Sequence, residues 1–233
     1  MNLIYDEGGV YIRNLANTAD KHGIGQYCFA RNFELAGSGY VISDGSAEYK
    51  CVFINRETMT LNDAEHYYEC LKLVNSTYFV RFGTDVLVLD LEQQMATLIL
   101  NGKTVCGVPF SSGFRPEGKR HTDAGSDMVG TSVSWVLGCG RFVNHDYFTE
   151  DKVRVGWSPK SEETEVMPCR AVKIKGAVYL VVVEGGVPDG VCAPAGTSRV
   201  IMLQDYDRMI FVGCVTGAGF DPVMISGYAR PLG

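Results

Sequence analysis

The sequence predicts an all-β protein built as two tandem antiparallel β-barrels with little helix. Three observations point there. Short runs rich in aromatic and β-branched residues recur along most of the chain, each bounded by Gly, Asn, Asp or Ser. "HYYECLKLVNSTYFVRF" (66–82) and "PCRAVKIKGAVYLVVV" (168–183) each read as two apolar strands joined by a polar turn, and self-similarity at such a period marks duplicated modules. Helical flavour is confined to "DEGGVYIRNLANTAD" (6–20) and "NDAEHYY" (62–68).

The expected strands of the first series are 26–34, 39–45, 48–55, 66–74, 77–82, 85–91 and 94–100. Those of the second are 131–140, 142–149, 152–157, 167–174, 177–183, 198–204 and 207–215. The two series correspond in order. Cys70 answers Cys169, the Asn75-Ser76 turn answers Lys175-Gly176, and Tyr78-Phe79-Val80 answers Tyr179-Leu180-Val181. "DVLVLDLEQQMATLIL" then answers "SRVIMLQDYDRMIFVGCV", a strand, an acidic turn and a strand. The second copy adds a Gly- and Pro-rich loop at 184–196. Residues 101–130 are polar and rich in Gly and Ser, and read as the connection. This places an N-terminal barrel at 1–115 and a C-terminal barrel at 116–233. Seven or eight short strands per half with hairpin-length links suit an up-and-down barrel, which removes sheet edges and can hold one small ligand.

Composition narrows the partners. The net charge of −6 divides evenly, with eleven Lys and Arg against fourteen Asp and Glu in 1–120 and ten against thirteen in 121–233. No basic footprint for nucleic acid or anionic lipid emerges, so neither nucleic acid nor a membrane is an expected partner. The eight cysteines form no CxxC pair, and most lie inside apolar runs where a thiol acts as a small buried hydrophobe. "MNLIYDEGG" lacks the features of a secretory signal, and a cytoplasmic chain with reduced thiols is expected. Asn75-Ser76-Thr77 fits a glycosylation sequon but is read as turn chemistry.

Sharp catalytic motifs are missing. There is no GxxxxGK[ST] loop, no GxSxG elbow and no HExxH pair, and Gly138-Cys139-Gly140 lacks the rest of a dinucleotide fingerprint. The four histidines stand far apart. Neither a cofactor nor a metal is expected. The expected partner is a small organic ligand, with a second copy of the chain left open as another.

Strand alternation ranks the polar side chains for a pocket. Leu71 and Leu73 suggest that the odd face of 66–74 is interior, which would bring Tyr67 and Glu69 inside. A register error of one residue would instead bring in His66 and Tyr68. His66, Tyr67, Tyr68 and Glu69 are therefore the catalytic candidates, a set able to donate, accept and stabilise charge on a phenol, enol or carboxylate. The alternative is that the tyrosines cover a barrel mouth while His66 and Glu69 face solvent. Arg81 could clamp an acidic ligand or form a salt bridge across the sheet. In the second copy, His145 and Tyr147 share one face and could work beside Arg154, while Arg170 shares a face with Val172 and Ile174. These four are substrate-binding candidates, although Asn144-His145-Asp146 could also be a turn. Trp135 and Trp157 read as barrel plugs, and Cys28, Cys70 and Cys169 as core.

The repeated order of aromatic strand, Asp-Gly turn, "YECLKL", "YFVRF" and "VLVLDL" resembles the molybdenum cofactor biosynthesis protein F family over roughly residues 25–225. That resemblance implies two fused lipocalin-like (calycin) barrels and a link to molybdenum cofactor metabolism. Two functions follow as expectations. One is a cofactor-independent lyase, isomerase or hydratase acting on a small anionic or phenolic metabolite by acid–base chemistry. The other is a carrier or accessory factor that binds such a molecule, including a pterin intermediate, without transforming it.

Overall fold

Each of the two units is an antiparallel barrel whose strands pair mainly with their neighbours in sequence, because hairpin-length turns leave them nowhere else to pair. The computed structural model describes residues 29–74, 76–110, 121–137, 142–157, 164–185 and 196–231. The chain divides into a unit spanning Arg31–Thr122 and one containing Asp123–Gly233.

The first barrel comprises β1 (Gly39–Ser43), β2 (Glu48–Phe53), β3 (Thr58–Leu61), β4 (Ala64–Val74), β5 (Thr77–Phe82), β6 (Asp85–Asp90), β7 (Met95–Leu100) and β8 (Lys103–Phe110). It closes where β8 pairs with β1, with Ile42 opposite Pro109. A two-residue strand, β9 (Thr122–Asp123), and one helical turn, α1 (Gly125–Met128), precede the second barrel. Its strands are β10 (Ser132–Leu137), β11 (Phe142–Thr149), β12 (Lys152–Gly156), β13 (Thr164–Lys175), β14 (Val178–Glu184), β15 (Thr197–Asp205), β16 (Ile210–Gly217) and β17 (Val223–Pro231). Here β12 pairs with β13, and the ring closes between β10 and β17.

Several expectations are corrected. Residues 29–34 form no strand; only Arg31 makes an isolated bridge to Leu71, and Asn32 accepts the Glu34 backbone N–H in a local turn. "NDAEHYY" is not helical, because Asn62 and Asp63 adopt positive φ in the β3–β4 turn. β3, β8 and β17 were hidden by short length or by Gly and Pro. Gly107 of β8 permits a close approach, since a Cβ there would lie 2.8 Å from the Ser43 carbonyl oxygen. The connection expected at 101–130 thus contains the strand that closes the first barrel. The helical segment expected at 6–20, Cys28, Asn75, the Gly138-Cys139-Gly140 stretch and most of the 184–196 loop lie outside the described residues.

The central hairpins of the two barrels correspond in their residue pairing, with shifts from the expected equivalences. In each central hairpin a lysine sits over the ring of the tyrosine paired with it, Lys72 over Tyr78 at 5.4 Å and Lys173 over Tyr179 at 5.5 Å. Each hairpin has a bulge just after that lysine. Counted from these pairs, Cys70 corresponds to Ala171 and Tyr68 to Cys169, so the expected Cys70–Cys169 equivalence is displaced by two residues. The acidic turns also match: buried Asp90 accepts the N–H groups of Glu92 and Gln93, and buried Asp205 accepts those of Asp207 and Arg208.

One face of every strand meets in a core. Ile42, Phe53, Met59, Cys70, Val80, Leu87 and Leu98 join one cluster in the first barrel, and partly buried Val105 of β8 packs against it. Trp135, Tyr147, Val155, Ala171, Val181, Met202, Phe211 and Ile225 join one in the second. A cluster drawing on every strand of a closed sheet lies within it.

Candidate functional site

In the first barrel the inward face of β4 is the even one. Tyr68 and Cys70 belong to the internal cluster, whereas Tyr67 is 51% exposed. The expected interior placement of Tyr67 and Glu69 is therefore reversed, since Leu71 and Leu73 are buried apolar residues on the outward face. Tyr68 is spent internally: its hydroxyl donates to the Asn55 carbonyl at 2.8 Å, and burial pushes its pKa up to about 12. His66 meets Phe82 edge-on, with ring centroids 5.4 Å apart. Cys51 is likewise a buried thiol, its pKa raised by burial to about 12.

The outward face of the same hairpin carries a charged cluster. Alternation puts Tyr67 and Glu69 on one side of β4, and cross-strand pairing sets Arg81 opposite Glu69. Arg81 donates to the Glu69 carboxylate, and Arg31 Nε lies 3.7 Å from the other carboxylate oxygen. Arg31 also donates to the Tyr67 hydroxyl at 2.5 Å and to the Tyr68 carbonyl at 3.3 Å. Both guanidinium groups lie by the Tyr67 ring, at 5.5 and 6.0 Å. Arg31 was missed although it lies in the expected strand 26–34, because that segment makes only an isolated bridge to Leu71 and strand alternation there does not predict its neighbours.

The interior of the second barrel holds a different arrangement. β11 is a strand rather than a turn, and its alternation sends His145 and Tyr147 inward with Val143. The two are 2% and 0% exposed, and His145 Nδ1 lies 2.9 Å from Tyr147 Oη. From β15, Gln204 Nε2 donates to Tyr147 Oη at 3.3 Å, and Tyr206 Oη donates to Gln204 Oε1 at 3.0 Å. One proton arrangement satisfies the whole chain: Tyr206 to Gln204, Gln204 to Tyr147, and Tyr147 to an unprotonated His145 Nδ1. Burial pushes both tyrosine pKa values up and lowers that of His145 from 6.5 to about 4. All four groups are thus uncharged near neutral pH.

Trp135 packs edge-on against Tyr206 and Phe211, with centroids 5.6 and 5.3 Å away. Its indole N–H is buried with no hydrogen-bond partner among the described residues, as is that of Trp157. Gln204, Tyr206 and this use of Trp135 escaped sequence reasoning. The available signal was a lone glutamine in phase with Val200 and Met202 on an apolar strand.

Arg154 does not join this group. It pairs across the sheet with Asp146, donates to that carboxylate at 2.8 Å, and lies on the opposite face from His145. Arg170 sits on the outward face opposite Val182. Cys169 packs against the internal cluster, its thiol pKa raised by burial to about 11.

His145 gives a pH prediction. Its pKa is lower folded than unfolded, so the unfolded chain takes up the proton first as pH falls below 6.5, and stability declines down to about pH 4. The full loss is about 3 kcal/mol, at about 1.4 kcal/mol per pH unit. Urea unfolding followed by tryptophan emission should show a lower midpoint at pH 5 than at pH 7, with a shallower change in His145→Gln.

Among the described residues, no helix is long and apolar enough to cross a membrane. Neither a protein-family model nor a curated protein matches the chain.

Proposed function

We propose that the second barrel binds a small, uncharged aromatic molecule carrying a hydroxyl or carbonyl oxygen, of the phenol class. One observation carries this reading: the buried Trp135 N–H has no acceptor among the described residues, yet adjoins a buried chain of neutral donors and acceptors from Tyr206 to His145. Such an unmet donor costs about 1–3 kcal/mol, which a ligand oxygen would offset. Neutrality selects against an anion. The neighbouring cations are engaged elsewhere, Arg154 by Asp146, Lys173 by Asp127, Arg199 by Glu184 and Arg208 by Asp205.

The chain has two tryptophans, and both belong to the second barrel. Their emission therefore reports binding there. Titration with phenol and p-cresol should give saturable changes that persist in Trp157→Phe and vanish in Gln204→Leu. An unsaturable response, or benzoate changing the tryptophan emission as phenol does, would refute the reading. Native mass spectrometry of protein purified from its own source should retain the natural ligand.

A second reading is cofactor-independent acid–base catalysis of the lyase, isomerase or hydratase kind. It is favoured by the 2.9 Å contact between His145 and Tyr147, which places two titratable groups in one apolar enclosure. If it holds, ligand protons should exchange with deuterated solvent in the wild type and not in Tyr147→Phe. The binding reading suits a carrier, and the resemblance to the molybdenum cofactor biosynthesis protein F family would make a pterin its cargo, whose lactam carbonyl and ring N–H groups suit neutral partners.

A further inference from the structure

The outward cluster on the first barrel is not neutral, and it does not depend on the phenol reading. Arg31 and Arg81 bring two positive charges and Glu69 one negative charge, within side chains that are 7%, 8% and 9% exposed. A guanidinium held away from water needs acceptors for its five N–H groups. Glu69 supplies one carboxylate for both arginines, and among the described residues Arg31 Nε and Arg81 Nε have no hydrogen-bond acceptor. The set therefore carries one uncompensated positive charge and two unused donors. Tyr67 is half exposed and stacks over both guanidinium groups, so it covers the cluster on the side nearest water.

We infer that Arg31 and Arg81 form a binding site for a small monoanionic carboxylate, with Tyr67 as its movable cover and Glu69 as an internal competitor. Planar guanidinium groups match a planar carboxylate through paired N–H donors. One added negative charge balances the cluster, whereas a phosphate dianion would leave it negative. Glu69 already holds the arginines in place, so an entering carboxylate shares them rather than organising them.

Isothermal titration of the full chain with acetate, benzoate and inorganic phosphate, at constant ionic strength, tests the assignment. Wild-type protein should bind acetate and benzoate saturably, and phosphate at least tenfold more weakly. Glu69→Gln should strengthen carboxylate binding about tenfold by removing the competitor. The triple variant Arg31→Gln/Glu69→Gln/Arg81→Gln, which removes all three charges together, should fold and lose binding. Tyr67→Ala should fold normally and change carboxylate affinity at least threefold. A salt bridge with a purely structural role would leave carboxylate binding unchanged in all three variants. Absence of saturable carboxylate binding to the wild type, tighter binding of phosphate, or weaker binding in Glu69→Gln would overturn the proposal. Tryptophan emission stays constant on carboxylate binding here, which separates this site from phenol binding in the second barrel.

Discussion

Replacing Gly227 by alanine is expected to destabilise the second barrel by about 3 kcal/mol or more, the upper range for forcing atoms into a packed sheet. Gly227 lies on β17 opposite Leu137 of β10 on one side and Phe211 of β16 on the other. A Cβ there would overlap the Val136 carbonyl oxygen and lie 2.8 Å from Phe211 Cε1. The phenyl ring can shift, but the carbonyl belongs to the pairing that closes the ring. Relief thus requires β10 and β17 to separate, with loss of ladder bonds on both. Gly156→Ala is the control in the same barrel, because its added Cβ would meet nothing nearer than Thr164 Cγ2 at 3.5 Å. It should cost within about 0.5 kcal/mol. Urea unfolding followed by tryptophan emission compares the two, and equal midpoints would show that β17 can yield at this position.

Arg81→Met is the second large effect, expected to cost about 3 kcal/mol. Breaking a buried ion pair by removing one partner typically costs about 3–5 kcal/mol, because the remaining charge stays buried. The lower end applies here, since Arg31 stays 3.7 Å from Glu69. Removing all three charges in Arg31→Met/Glu69→Leu/Arg81→Met should recover most of the loss, as apolar replacement of a whole buried ion set is often neutral. The first barrel has no tryptophan, so hydrogen exchange of the β4–β5 amides is the appropriate measurement. A triple variant no more stable than Arg81→Met would show that the three charges are not coupled.

What the sequence shows and what it hides have physical causes in particular residues. β5 and β11 were legible to the residue, because Thr77–Phe82 is an unbroken run of strand-forming side chains and Phe142–Thr149 has such side chains on both sides of Asn144-His145-Asp146. β8 and β17 contain Gly107 and Pro109, and Gly227 and Pro231, which normally punctuate strands and here serve tight curvature and closing edges. The facing of β4 was misread because residues 68–71 are buried on both faces, leaving its alternation without contrast. His145 and Tyr147 were legible as a same-face pair, since spacing alone decides that. Their partners Gln204 and Tyr206 were not, because Gln204 comes from a strand 57 residues from Tyr147, and Tyr206, in the turn just after that strand, joins through Gln204.

The order of strands around each ring has a kinetic consequence. Most pairings join segments separated by a short turn, so they form at little loop-closure cost and can zip successively from Asp90 and Asp205. The joins of β1 to β8 and of β10 to β17 bring together distant stretches and come last. Each half should therefore pass through an open, curled ribbon before it seals. Destabilising changes at the seams should accelerate unfolding far more than they slow refolding.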